Sequence, residues 1–235
     1  MSDCCASSKE NKTALSPDLL VIGAGSGGFS AAITAAEKGA SVVIAGEGII
    51  GGTCVNVGCV PSKTMIRATE TLHQAKTAAR FDGIKGNAEI TSWNAVMAQK
   101  QSLVEELRQS KYIDVLPAYE NISYVEGRSV FTNEGVMVGD TLYTPQKTII
   151  ATGSSASLPP IDGMLSVPYL TSTTALELQE QPKSLLIIGG GVIGVELGQM
   201  FARAGTKVII CCRSRLVPET EPEISEALAL SLIHI

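Results

Sequence analysis

The chain of 235 residues reads as an α/β protein with two Rossmann-like dinucleotide-binding domains. Two observations predict this. A short apolar run, a glycine turn and a helical stretch follow one another twice, from Leu19 and again from Ser184. Apolar residues make up 45% of the chain and 23 glycines punctuate it, which suffices for layered strands and helices without disulfide staples.

In the first unit Leu19 to Ile22 is a strand, Gly23-Ala24-Gly25-Ser26-Gly27-Gly28 a turn, and Phe29 to Lys38 a helix stopped by Gly39. Ser41 to Ala45 supplies the second strand, completing a βαβ unit of about 30 residues. Gly23 permits a tight turn, Gly25 lets backbone N–H groups approach a pyrophosphate, and Gly28 lets the helix pack closely. The helix N-terminus then favours the negative charge. The second unit repeats the plan: strand Ser184 to Ile188, turn glycines Gly189, Gly191 and Gly194, a helix through Arg203 stopped by Gly205, and strand Lys207 to Cys212. One such turn is weak evidence, because glycines also serve simply to pack a helix on a strand. Two complete units imply two dinucleotides.

The residue after each second strand distinguishes the nucleotides. An acid there accepts from ribose hydroxyls, and Glu47 stands nearest that place in the first unit. The second unit has Cys212 followed by Arg213 and Arg215, which suits a 2′-phosphate and favours NADPH over NADH.

Between the units lies GGTCVNVGCVPSK, Gly51 to Lys63. An isolated C-x4-C would read as two reduced thiols that never meet. Here Gly51, Gly52 and Gly58 let backbone approach a flat cofactor, so Cys54 and Cys59 read as a redox-active disulfide set against a flavin. The other cysteines carry less. Cys4 and Cys5 sit in a polar tail, either without a defined role or as exposed thiols for a soft metal. Cys211 and Cys212 close the run VIICC and are expected to be small, buried strand residues.

Helical patterns at Lys63 to Ala79 and Trp93 to Lys111, then strand-like runs at Ile122 to Gly127 and Val136 to Val138, are expected to cover the flavin sheet. His73 falls on the surface of the first of these helices. The expected division is a polar tail (1–17), an FAD-binding domain (18–158) and an NAD(P)H-binding part (159–235), with Pro159-Pro160 at the crossing. A net charge of −5 and the lack of any basic cluster exclude a nucleic-acid surface. No apolar run reaches the ~18 residues that span a bilayer, and Met1 to Pro17 lacks a signal core, so the cytoplasm is the expected compartment.

These residues resemble the FAD-dependent pyridine nucleotide-disulfide oxidoreductases, the family of glutathione reductase, dihydrolipoamide dehydrogenase and mercuric reductase. The resemblance runs from about Asp18 to Ala229 and is carried by GGTCVNVGCVPSK, by KTIIATGSSASLPPI from Lys147 and by GGGVIGVELGQMFARAG from Gly189. The string VNVGCVPSK followed by TMIRA is most similar to the mercuric reductase branch, as is Val192 where glutathione reductases carry a tyrosine. The resemblance implies that Cys59 faces the flavin and Cys54 meets the substrate, binding Hg(II) transiently. It implies that Lys63 lies by the flavin with Glu196 as its partner, and that Gly52, Thr53, Ser129, Ala151, Thr152 and Gly153 contact the cofactor. Electrons would run from NADPH through FAD to the cysteine pair and on to Hg(II). Gly46 stands where relatives carry the ribose acid, which makes Glu47 its expected substitute.

Members of this family are longer. The resemblance implies a missing remainder of both nucleotide domains and a missing C-terminal domain that forms the homodimer and supplies an acid–base pair. The last residues, from Ser231, read as an interrupted frame or a foreign tail. The chain alone is therefore expected to hold FAD weakly and to turn over little. Competing expectations are a disulfide acceptor such as glutathione or lipoamide, and a non-catalytic chain that binds nucleotide or metal.

Overall fold

The structure, a computed structural model, describes residues 14–233. Cys4, Cys5 and His234 lie outside the described residues. The chain forms two compact units: one contains the residues up to Gly52 with Arg108–Ser154, the other Thr53–Leu107 with Ser155–Ile235.

The first unit is built on a parallel sheet of β1 (Leu19–Ile22), β2 (Val42–Gly46), β3 (Ile122–Glu126) and β7 (Lys147–Ile150), in the order β3-β2-β1-β7. Leu20 and Val21 are fully buried because β1 is central and covered on both faces. On one face lies α1 (Ser26–Glu37), which buries Phe29, Ala32 and Ala36 and sets Phe29 edge-on to Tyr112 at 4.9 Å. On the other lies an antiparallel meander of β4 (Ser129–Phe131), β5 (Val136–Val138) and β6 (Thr141–Tyr143). Val136, Val138 and Tyr143 pack there against Leu20, Ile22 and Ala45.

The second unit contains α2 (Gly52–Asn56) from Thr53 onward, α3 (Cys59–Lys76) and α4 (Trp93–Arg108) up to Leu107. It continues with α5 (Ser172–Ala175), β8 (Ser184–Ile188), α6 (Val192–Ala204), β9 (Lys207–Cys211) and α7 (Pro222–Ile233). Its core joins Met65 of α3 and Trp93 and Met97 of α4 to Leu197, Met200 and Phe201 of α6. Trp93 stacks on Phe201 and donates its indole N–H to the Leu178 carbonyl at 2.8 Å. This packing groups 53–107 with the second nucleotide unit.

Two expectations change. Helix α3 begins at Cys59 rather than Lys63, because Pro61 falls in the first turn, where missing N–H groups cost nothing, and Ser62 makes the first return bond to Gly58 at 3.0 Å. Cys211 and Cys212 are exposed, not buried. Helix α6 covers one side of the β8–β9 pair, and Leu186, Ile188 and Ile209 on the alternate positions are exposed along with Cys211.

His73, on α3, is half-buried, and its pKa is lowered by burial first and then by Arg203 and Arg80. The folded state therefore takes up this proton less readily than the unfolded chain. Stability associated with His73 is intact above pH 6.5 and is lost as pH falls through the window below it. His73→Gln is expected to flatten that decline, which urea midpoints measured on either side of the window would show.

Candidate active site

Each nucleotide unit turns from strand to helix by the same device. Gly23 N–H donates to the Ala45 carbonyl at 2.7 Å, and Gly189 N–H donates to the Cys211 carbonyl at 2.8 Å. A Cβ at Gly28 would overlap the Gly23 carbonyl oxygen, and one at Gly194 would stand 2.6 Å from the Gly189 carbonyl oxygen. Both helices approach their own turns so closely that only glycine fits.

The first cradle is the more crowded. Gly51 N–H donates to the Ala24 carbonyl at 2.8 Å, and Gly25 and Gly51 form a parallel bridge. A Cβ at Gly52 would lie 2.6 Å from the Gly25 Cα, and one at Gly23 would overlap the Ala151 carbonyl oxygen and stand 3.0 Å from the Thr152 nitrogen. Gly23, Gly25, Gly52, Ala151 and Thr152 thus meet at the C-terminal end of the parallel strands, the face where open α/β sheets bind ligands. Gly153 follows with φ +74. Backbone without side chains at the start of a 12-residue helix fits a pyrophosphate. Ser129, at the start of β4, holds a buried hydroxyl without a hydrogen-bond partner among the described residues.

At the strand end, the two cradles divide the space in opposite ways. A Cβ at Gly46 would lie 2.9 Å from the Ala24 Cβ, and a Cβ at Gly190 would lie 3.0 Å from the Cys212 Cβ. Only one position of each pair carries a side chain: Ala24 in the first cradle, Cys212 in the second. Glu47 follows β2 and is exposed. Arg213 is exposed, while Arg215 is half-buried and donates to the carbonyls of Pro218 at 3.0 Å and Thr220 at 2.6 Å, bracing the loop that follows β9.

Gly58 turns the chain from α2 into α3. A Cβ there would lie 2.8 Å from the Thr53 carbonyl oxygen and 3.2 Å from the Cys54 Cα. The residue before Cys59 is therefore packed on the backbone of Cys54, so the short loop folds back on itself. Both cysteines are exposed. Cys59 occupies the first position of the 18-residue α3, where unpaired N–H groups and the helix dipole favour negative charge.

Lys63 stands one turn further along α3. Its Nζ donates to both carboxylate oxygens of Glu196 on α6, each at 2.6 Å. With the side chains 55% and 47% exposed, this pair contributes little to stability. Glu196→Gln is expected to change the unfolding free energy by less than about 1 kcal/mol. A urea titration showing a loss of several kcal/mol would make the pair a structural one.

Sequence reasoning missed the reciprocal packing of Ala24 with Gly46. The available signal was Gly46 itself, a residue without a side chain where an acid is expected.

Two Rossmann-like cradles on one chain define a dinucleotide-binding α/β protein. The chain belongs to the pyridine nucleotide-disulphide oxidoreductase family, which it matches over residues 17–234. It is 46% identical over 215 residues to a mercuric reductase of Streptomyces lividans, covering 88% of this chain and 45% of that protein. It is also 46% identical over 217 residues to a mercuric reductase of Staphylococcus aureus, covering 92% of this chain and 39% of that one. The chain thus spans less than half the length of these relatives. Among solved structures it resembles the HOCl-induced flavoprotein disulfide reductase RclA from Escherichia coli, with a TM-score of 0.77 and 31% identity over 92% of this chain and 47% of that one. Among the described residues no helix is long and apolar enough to cross a membrane.

Proposed function

We propose that the chain is the nucleotide-binding and redox-active part of an oxidoreductase that passes electrons from NADPH through FAD to Cys54 and Cys59 and on to Hg(II), releasing Hg(0). The observation that carries this reading is the turn at Gly58, which packs the residue before α3 on the backbone of Cys54. Gly23, Gly25, Gly28, Gly52, Thr53, Ser129, Ala151, Thr152 and Gly153 would hold FAD, with Glu47 near its ribose. Gly189, Gly191, Gly194, Arg213 and Arg215 would hold NADPH. Bound FAD would supply two-electron relay between a nicotinamide and a disulfide.

The protein's own groups divide the remaining work. Cys59, at the positive end of a helix, suits the thiolate that stays near the cofactor, and Cys54 is left to meet the substrate. Reducing their disulfide takes two electrons and two protons and leaves two thiols. Thiolates are soft ligands matched to Hg(II), whose reduction to the metal also takes two electrons. Lys63, held by Glu196, places a positive charge one helical turn from Cys59, where it can offset negative charge arriving at the site.

The mercuric reductases among its relatives favour Hg(II) over a disulfide acceptor. NADPH oxidation by the full-length protein, measured with Hg(II) and separately with glutathione and lipoamide disulfides, tests this choice. Faster turnover with either disulfide would overturn it. The 235-residue chain alone is expected to bind FAD weakly and to turn over little, and the full-length protein to act as a homodimer in the cytoplasm.

A further inference from the structure

Gly46 ends β2 at the position where a dinucleotide cradle ordinarily presents an acid to a ribose. A side chain there would press on its neighbours. A Cβ on Gly46 would lie 2.8 Å from the Tyr124 hydroxyl, 2.9 Å from the Ala24 Cβ and 3.0 Å from Tyr124 Cε2. The space an acid would enter is thus filled from two sides, by the turn residue Ala24 and by a phenol from the neighbouring strand.

The register explains how Tyr124 reaches it. Strand β3 pairs with β2 so that Tyr124 stands opposite Ile44 and Glu126 opposite Gly46. Residues 44, 46, 124 and 126 share one face of the sheet, the face opposite Ala45 and Val125, which pack toward the meander. A tyrosine is long enough to lean along its strand from beside Ile44 to the end of β2. Glu47 lies beyond the end of β2 and is exposed.

The chemistry of the replacement is suitable. A phenol can both donate to and accept from a ribose hydroxyl, whereas a carboxylate only accepts. Tyr124 is half-buried, and its pKa is raised by burial and then by the charge of Glu126, so it remains a neutral hydroxyl. No hydrogen bond among the described residues engages that hydroxyl, which leaves both of its capacities for a ligand.

We propose that Tyr124 takes the place of the missing ribose acid, its hydroxyl binding the adenosine ribose of the dinucleotide held in the first cradle. The proposal rests on the reading of that cradle as the FAD site. It makes Tyr124 a cofactor-positioning residue and ties it to Ala24 and Gly46, because side chains at 24 and 124 leave no room for one at 46.

The test is an equilibrium titration of the 235-residue chain by flavin fluorescence, using FAD and an FAD analogue that lacks both adenosine ribose hydroxyls. With the parent, the analogue is expected to bind about 5- to 10-fold more weakly than FAD, the range of one net hydrogen bond. With Tyr124→Phe, FAD is expected to bind as weakly as the analogue, and the analogue no worse than to the parent. Unfolding midpoints of parent and variant should agree, since only a hydroxyl is removed. If Tyr124→Phe binds FAD as tightly as the parent, or loses affinity for FAD and analogue alike, the ribose contact is overturned while the FAD reading stands. If Glu47→Gln abolishes the discrimination instead, the acid has merely moved by one residue and the proposal fails. If neither the 235-residue chain nor the full-length protein binds FAD, the reading of the cradle and the proposal fall together.

Discussion

Gly23→Ala is expected to destabilise the first unit by about 3 to 5 kcal/mol and to abolish flavin retention. Two costs combine. The residue has φ +119, a conformation that glycine adopts freely and an alanine does not. Its new methyl would also overlap the carbonyl oxygen of Ala151, which follows β7 and whose N–H donates to Ile22 at 2.7 Å. That carbonyl belongs to the backbone at the end of a paired strand, so it cannot swing aside as a flexible side chain would. Gly27 offers the contrast within the same motif: it lies inside α1, has no positive φ, and a Cβ there meets nothing within 4 Å. Gly27→Ala is expected to raise stability by about 0.4 to 1 kcal/mol, chiefly by restricting the unfolded chain. Denaturant unfolding of the two variants beside the parent checks both values. A Gly23→Ala loss below about 1 kcal/mol would show that the turn relaxes, and the account of the crowded cradle would fail.

The contrast shows what local sequence can convey. Strands β1 and β8 were legible to the residue, since each is a short apolar run that ends at a glycine turn. Helix α6 was equally clear, with Gly205 stopping it in the left-handed conformation at φ +108. The start of α3 was not, because Pro61 reads locally as a breaker and only the turn at Gly58 shows that it sits in a first turn. Cys211 and Cys212 looked like core residues for a similar reason. Apolar composition does not say which face of a strand another element covers. The candidate site divides along the same line. The repeated glycine turns and a cysteine pair set among glycines are local patterns, and the Lys63–Glu196 pair came from a family resemblance. What fills the space at Gly46 is a hydroxyl delivered by β3 from far along the chain, and no local pattern contains that.

The largest effect on function is expected at the cysteine pair, where the two residues should fail in different ways. Either Cys54→Ser or Cys59→Ser in the full-length protein should lower NADPH-linked turnover by roughly 10³-fold or more, because a disulfide cannot close with one sulfur and serine supplies no comparable nucleophile. Turnover alone cannot separate their roles. A spectrum can: a thiolate held against a flavin adds long-wavelength absorption after two-electron reduction. In Cys54→Ser, where no disulfide can form, that band should be present before any reductant is added, and in Cys59→Ser it should be absent before and after reduction, since Cys59 begins α3 and shares a helical face with Lys63 four residues on. The reverse pattern would exchange the two roles, leaving Cys59 to meet the substrate. Loss of the band in both variants would mean that the thiolate forms only when the second sulfur is present, and the helix start would then not be what favours its charge.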